Sequence, residues 1–396
     1  MNDLLSRTAA LDRVLARVAA LEAEEVSLAD AAGRVPAEPA LARVDLPPFD
    51  ASAMDGFALR VEDVPGTLRI VGRIAAGRPA DRGLERGEAM AISTGGVIPA
   101  GADGVAPIED VEAGENEVSV PEAISGGAHL RPRGGDLARG ELVVPAGVRL
   151  GAVHLGALAA AGVKSVCCHR RPRVAVAVTG SELRAPGDAL RHGEIYEANG
   201  LILTTQIRSA GGEPLLLPLV PDDPRATREA IARGLESDVL LTSGGVSVGS
   251  YDFVRESERE LGVEELFWRV AVRPGKPISF GIRGGTLVFG LPGNPVSALV
   301  GFELFVRPAL LALQGLSDPL PPFRPGRLGR EAPLVPGRES LLRGRVRVEG
   351  DFVLAEPLSG QESHMIARAA SANALVLVPA GEGELAAGSP VSYLAL

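Results

Sequence analysis

Several acidic side chains sit beside glycine- or proline-rich turns, a pattern suited to gripping phosphate with a divalent cation. The strongest phosphate candidate is the run Thr242 to Gly249 (TSGGVSVG). Its paired glycines let backbone N–H groups approach an anion, and the hydroxyls of Thr242, Ser243 and Ser247 are further donors. Taken alone, Gly244, Gly245 and Gly249 describe only a tight strand-to-helix turn. The run is not a Walker A loop, because Ser250 and Tyr251 stand where Lys and Ser/Thr are needed. No dinucleotide-type G-x-G-x-x-G follows the first buried strand either. Glu182, Asp222 and Asp252 lie near three such turns. Converging carboxylates next to a phosphate suit Mg²⁺, which takes one or two carboxylates plus phosphate oxygens. Asp222 and Asp223 precede Pro224, so one of the two is expected to be a helix cap.

Cationic partners cluster in a rigid stretch. Arg269, Arg273 and Lys276 surround Arg273 to Pro277 (RPGKP). Arginine matches oxyanions with a planar fork and lysine supplies a point charge. Leu291 to Ala298 (LPGNPVSA) adds Pro292, Gly293, Asn294, Pro295 and Ser297 at a predicted helix start, where free N–H groups favour an oxyanion. Cys167, Cys168 and His169 are adjacent, but no second Cys pair stands at zinc spacing and no H-x-x-x-H occurs, so a structural role is expected for them. Trp268 is expected in packing.

The elements that must position these residues follow from hydrophobic periodicity. Arg173 to Val178, 214–220, 238–242, 277–281 and 286–290 read as strands. Helices are expected over 199–210, 224–235 and 295–314, the last capped by Asn294 and kinked by Pro308. Such alternation implies a doubly wound, mostly parallel sheet, with loops 179–183, 221–224, 243–252 and 291–295 on one ligand-binding edge. The spacing of Leu4, Leu11, Val14, Leu15, Val18 and Leu21 predicts one helix over 3–22. Short apolar runs within 47–137 predict a β-rich domain, and those after the Pro319–Pro322 linker predict a small β-barrel or sandwich. The expected α/β multidomain division is 1–26 with 170–315 (α/β), 27–46 with 138–169 (linker), 47–137 (β-rich, inserted) and 316–396 (C-terminal barrel).

The bulk properties narrow the class. A length of 396 residues suggests two to four domains, and a net charge of −10 argues against nucleic acid as the main partner. The opening residues do not read as a secretion signal, and no uninterrupted apolar run reaches the length of a membrane span, so a cytoplasmic protein is expected.

Several runs, in order, carry a resemblance: Asp50 to Ala58 (DASAMDGFA), Ile92 to Gly96 (ISTGG), Arg131 to Asp136 (RPRGGD), Thr179 to Leu183 (TGSEL), Ser243 to Asp252, Arg273 to Pro277, Leu291 to Ala298, and Gly360 to His364 (GQESH). Together they resemble the molybdopterin molybdenumtransferases, bacterial counterparts of the gephyrin E domain. The resemblance implies a molybdopterin-binding α/β domain within a four-part, L-shaped homodimer. It also implies a reaction in which adenylylated molybdopterin and molybdate, with Mg²⁺, yield molybdenum cofactor and AMP. A molybdopterin adenylyltransferase would then be the upstream partner. Matching functional positions are Asp55, Thr94, Asp136, Glu182, Asp222, Asp252, Pro292 and Pro295, with Asp55, Thr94 and Asp136 acting across the dimer. Gln361, Ser363, Ser371 and Asn373 would line the same cleft. Arg269 and Arg273 replace lysines of some members, Gly135 a common acidic residue, and Ser181 an aspartate. Two other readings of the sequence stand beside this one: a non-catalytic pterin-binding or scaffold protein of the same fold, and a pterin adenylyltransferase.

Overall fold

The run Arg173–Val178 (β1) and its neighbour Val239–Ser243 are buried on both faces, as inner strands covered by helices must be, whereas its other neighbour, Glu213–Leu216, is an exposed edge. The computed structural model describes residues 4–245 and 253–396. With Glu213–Leu216 (β2), Val239–Ser243 (β3), Glu264–Trp268 (β4), Ser279–Arg283 (β5) and Thr286–Leu291 (β6), β1 forms a six-stranded sheet of order β2-β1-β3-β6-β5-β4. Pairings among β2, β1, β3 and β6 are parallel, and β5 and β4 join antiparallel. One face packs Leu203 and Ile207 of helix Asn199–Ser209 with Phe280, Phe289, Phe302 and Phe305. The other packs Ile231, Leu240, Val254 and Val288. Burial of these side chains, at about 1.5–3 kcal/mol each, is the main force holding the sheet.

Two expected helices differ in detail. The first spans Arg7–Leu15, capped by the Ser6 hydroxyl, and not 3–22. Beyond Ala16 the Leu21 N–H bonds to Leu313 O, so the chain leaves the helix although Val18 and Leu21 still pack on the core. The long helix Pro295–Leu313 does not break at Pro308. A π segment, Phe302–Val306, precedes it, and the Arg307 N–H reaches back five residues to Phe302 O. Proline removes one donor and crowds the preceding turn, and the wider π turn absorbs both effects. This helix has the length and hydropathy of a membrane span, but 78% of its most apolar window is buried in the protein and it carries the Glu303–Arg307 ion pair. It is a core helix.

The C-terminal strands Arg324–Leu328, Glu339–Glu349, Phe352–Pro357, Ala374–Val378 and Pro390–Ala395 close into a five-stranded barrel, with Glu339–Glu349 pairing on both sides. Leu328, Ala355, Val376 and Val391 fill one part of it.

By contacts, residues Met1–Glu24, Gly33–Val35 and Cys168–Leu396 form one compact unit, and Glu25–Ala32 with Pro36–Cys167 form the other. The second unit contains the six-stranded sheet of Gly56–Leu59, Gly66–Ile74, Glu88–Ile92, Gly104–Pro107, Glu112–Ala113 and Glu117–Val120. Its two faces bury Phe57, Leu68 and Val118 on one side and Ala58, Ile74 and Met90 on the other.

One part-buried ion pair ties the α/β sheet to the chain that leads into it. Arg170 makes a fork to both oxygens of Asp238 at 2.7 Å, and Asp238 Oδ2 also accepts the Arg173 N–H at 2.8 Å. Partial burial alone would raise the Asp238 carboxyl, yet the Arg170 fork and the Arg173 N–H hold it below the usual range. A carboxyl depressed on folding contributes stability above its unfolded value of about 3.9, and that stability is lost as pH falls through the folded value. Asp238→Asn should therefore be less stable than the parent at pH 7 and lose stability less steeply below pH ~4. Urea denaturation across that pH range checks this.

Candidate functional site

The carboxyl ends of β1, β3 and β6 open on one cavity of about 650 Å³. Glu182, Asp222, Ser243, Gly244, Gly245, Pro292, Gly293, Asn294 and Pro295 all line it, as do Tyr196, Asn199 and His364. The topology therefore brings the loops at 179–183, 221–224 and 291–295 and the start of the glycine turn to one edge. Ser247, Gly249 and Asp252 lie outside the described residues.

The glycine turn is shaped by steric need. Gly244 and Gly245 have φ of +98° and +64°, and a Cβ on Gly244 would stand 2.6 Å from Thr179 Oγ1. Its N–H donates to Leu291 O at 3.1 Å, tying β3's end to β6. The expectation for the hydroxyls is corrected. Thr242 is fully buried, does not line the cavity, and donates to Phe289 O at 3.5 Å. Alternation along β3 turns it away from the edge. Ser243 lines the cavity, but its Oγ is occupied: it donates to Pro292 O at 3.5 Å and accepts from Asn199.

Asn199 is the residue the sequence reading missed. Its buried amide donates to Ser243 Oγ at 2.8 Å and to Gly293 O at 2.7 Å, clamping three loops together. The only local signal was an Asn-Gly pair at a helix start. Asn199→Leu leaves Ser243 and Gly293 short of a donor in a buried place, and should cost about 1–3 kcal/mol. A lowered urea midpoint with unchanged slope is the expected result.

Asp222 and Asp223 divide their work. Asp223 caps the helix Pro224–Gly234, accepting the Ala226 N–H at 2.8 Å. Asp222 lines the cavity and pairs reciprocally with Ser181: Ser181 N–H donates to Asp222 Oδ2 at 3.0 Å, and Asp222 N–H donates to Ser181 Oγ at 2.9 Å. Serine thus fills a place where aspartate would set two like charges side by side. Glu182 lies on the same loop, which Arg184 braces by bonding Ser181 O and Glu194. The Glu194 carboxyl is held below the usual range by the Arg191 N–H and by Arg184. Among the described residues, no three His, Cys, Asp or Glu side chains gather as a metal cluster. No disulfide joins Cys167 and Cys168.

A second cavity, about 470 Å³, adjoins the first through Pro277, Pro292, Asn294 and His364. Arg273, Lys276, Arg338, Ser297, Gln361 and Ser363 line it. Asn294 stands at the N-cap of Pro295–Gly301 without a side-chain capping bond, so its amide remains available to the cavities it lines. The helix start is less open than expected, since the Val296 N–H donates to Ser363 O at 3.1 Å. Ser297 lies in the first turn of that helix and lines the second cavity, and N–H groups at this position have no acceptor within a helix.

Three further expectations are corrected. Arg269 lines neither cavity. With φ of +76°, it lays its guanidinium 3.7 Å from the Trp268 ring centroid, and stacking has claimed it. Ser371 and Asn373 stand in the barrel instead of the cleft. Asn373 bonds the backbone of Val346 on both sides of its amide, the Ser371 hydroxyl donates to Arg368 O, and the Ser371 carbonyl accepts from the Arg345 guanidinium.

In the second unit, adjacent antiparallel strands bring Asp55 and Thr94 together. Thr94 N–H donates to Asp55 Oδ1 at 2.7 Å and its hydroxyl to the same oxygen at 3.3 Å. Asp136 is held by its backbone N–H to Leu46 O, and no described hydrogen bond joins it to that pair.

Comparison with known proteins gives matches along nearly the whole chain. Residues 5–162 match the MoeA N-terminal region (domain I and II), 175–312 a probable molybdopterin binding domain, and 325–396 the MoeA C-terminal region (domain IV). A Mycobacterium tuberculosis (strain ATCC 25618 / H37Rv) protein named molybdopterin molybdenumtransferase 2 is 36% identical over 379 residues, spanning 92% of this chain and 93% of that protein. A Nostoc molybdopterin molybdenumtransferase is 34% identical over 388 residues, spanning 95% of this chain and 89% of that one. The crystal structure of the molybdopterin biosynthesis moeA protein from Pyrococcus horikoshii OT3 superposes with a TM-score of 0.84 at 27% identity, covering 100% of each chain.

Proposed function

We propose the activity of this chain from one premise: the chain belongs to the molybdopterin molybdenumtransferase (MoeA) family. It is a transferase. In our reading it takes adenylylated molybdopterin and molybdate, cleaves the phosphoanhydride, releases AMP and leaves molybdenum on the pterin dithiolene. The observation that carries this reading is the meeting of Glu182, Asp222, the Ser243–Gly245 turn and Pro292–Pro295 in one cavity, next to the cavity with Arg273 and Lys276. Phosphoanhydride cleavage asks for positioning and charge stabilisation more than covalent catalysis, and this site supplies both.

The pterin phosphate and adenylate would lie in the larger cavity, against the glycine turn that Asn199 fixes. Molybdate, a tetrahedral dianion, suits the smaller cavity, where Arg273, Lys276 and the Ser297 N–H surround it. Magnesium fits the donor set, because Glu182 and Asp222 offer hard carboxylate oxygens in the lining of one cavity. Those two residues would hold it, and when bound it would neutralise phosphate charge. We further place the working protein in the cytoplasm as a homodimer, with Asp55, Thr94 and Asp136 of one subunit serving the cleft of the other and an adenylyltransferase supplying the substrate.

The test is AMP release from adenylylated molybdopterin with Mg²⁺, with and without molybdate, repeated with tungstate. AMP release dependent on molybdate is expected. Tight pterin binding with no AMP release would overturn the catalytic reading in favour of a binding protein of the same fold.

A further inference from the structure

A third, smaller cavity of about 270 Å³ shares two lining residues with the 470 Å³ cavity, Arg273 and Gln361. Its other charged residues are Arg330 and Glu331, and Leu342, Pro357 and Leu358 provide apolar walls. Across the two cavities stand four cations, Arg273, Lys276, Arg330 and Arg338, against two carboxylates, Glu331 and Glu362. None of the four makes an ion pair or side-chain hydrogen bond among the described residues, whereas Arg343, behind them, is held by the carbonyls of Gly360 and Glu362. In a chain of net charge −10, leaving these four unpaired in adjoining cavities makes a local positive track. Apolar walls focus such a field.

The frame of this track is fixed. Gln361 Oε1 accepts the Arg343 N–H, and its Nε2 donates to the carbonyls of Arg343 and Leu358, so it forms a rigid partition. The fully buried Arg343 guanidinium pins Gly360 O and Glu362 O behind it. Arg330 projects from a short loop anchored on both sides, by Gly329 N–H to Ala355 O at 2.8 Å and by the pairing of Ala332 with Leu385.

We propose that the smaller cavity is an outer oxyanion subsite: Arg330 receives a tetrahedral dianion from solvent, and Arg273, which lines both cavities, passes it inward to Lys276 and Arg338. This rests on the reading of the 470 Å³ cavity as the molybdate site. Glu331 opposes the effect and limits how long the anion stays outside.

The test uses the full chain and molybdate. In Arg330→Gln, kcat/KM for molybdate should fall about three- to tenfold at low ionic strength, while turnover at saturating molybdate is retained. The difference should close at about 0.5 M potassium chloride, where charges are screened within a few ångströms. Arg330→Lys should keep most of the capture rate, and Glu331→Gln should raise it. In parallel, molybdate binding by calorimetry should weaken strongly in Arg273→Gln and Lys276→Gln. If Arg330→Gln captures molybdate like the parent at low salt while Arg273→Gln binds it poorly, the outer subsite is wrong and the inner site stands. If Arg273→Gln and Lys276→Gln both bind molybdate normally, the inner reading itself fails.

Discussion

Asp222→Ala should release AMP about 10²–10³-fold more slowly than the parent protein while binding adenylylated molybdopterin within a few-fold of normal. The expectation comes from what the carboxylate does on each side. One oxygen accepts the Ser181 N–H at 3.0 Å, which fixes the loop carrying Glu182. The group also faces the cavity, which Glu182 and Glu197 line as well; Glu197 already accepts the Gly200 N–H, so Asp222 and Glu182 are the carboxylates our reading assigns to the phosphate. Substrate affinity draws on many contacts, so it suffers less than the step that needs charge in one place. Asp222→Asn separates the two roles. Its amide oxygen can still accept the Ser181 N–H, so the loop is retained, and the negative charge is gone. If charge is the requirement, Asn is as slow as Ala. If loop position is the requirement, Asn restores most of the rate. Ser181→Ala, which removes only the acceptor of the Asp222 N–H, should cost about 1 kcal/mol of loop order and therefore only several-fold in rate. Wild-type AMP release in Asp222→Ala would remove Asp222 from the mechanism.

The sequence made the edge of the sheet legible because its information there is local. Buried parallel strands such as Val239–Ser243 read as continuous apolar runs, and each ends in glycine or proline. Asp223 with Pro224 announces a helix start, which the structure bears out. What was not legible depends on partners far away in the chain. Whether Thr242 points to the cleft is decided by its pairing with Gly290 on β6, which sets its hydroxyl against Phe289 O, 47 residues on. Arg269 looked like an oxyanion ligand until Trp268 took its planar face. Asn199 becomes important only when Ser243 and Gly293 arrive beside it. The first helix stopped early for the same reason: its apolar spacing continues to Leu21, but the N–H of Leu21 finds Leu313. Spacing tells which side chains are buried and says less about which backbone shape buries them.

Mixing two inactive variants should restore activity, if Asp55 of one subunit serves the cleft of its partner. Asp55→Ala should be inactive because the Thr94 N–H and hydroxyl lose their shared acceptor and the site loses a charge. Asp222→Ala should be inactive for the reason given above. In a dimer formed from one copy of each, one cleft has a normal Asp222 and faces a normal Asp55 from its partner, and the other cleft carries both changes. Random exchange makes half the dimers mixed, each with one working site of two, so about a quarter of parental AMP release should return after subunits are denatured and reassembled together. If each subunit were complete by itself, every site in the mixture would retain one lesion and activity would stay at the sum of the two variants. The outcome turns on symmetry alone, because a two-fold axis converts two separate defects into one repaired site and one doubly damaged one. Asp136→Ala should complement Asp222→Ala in the same way and fail to complement Asp55→Ala, since Asp55 and Asp136 would serve the same partner cleft and every mixed site would then lack one of them.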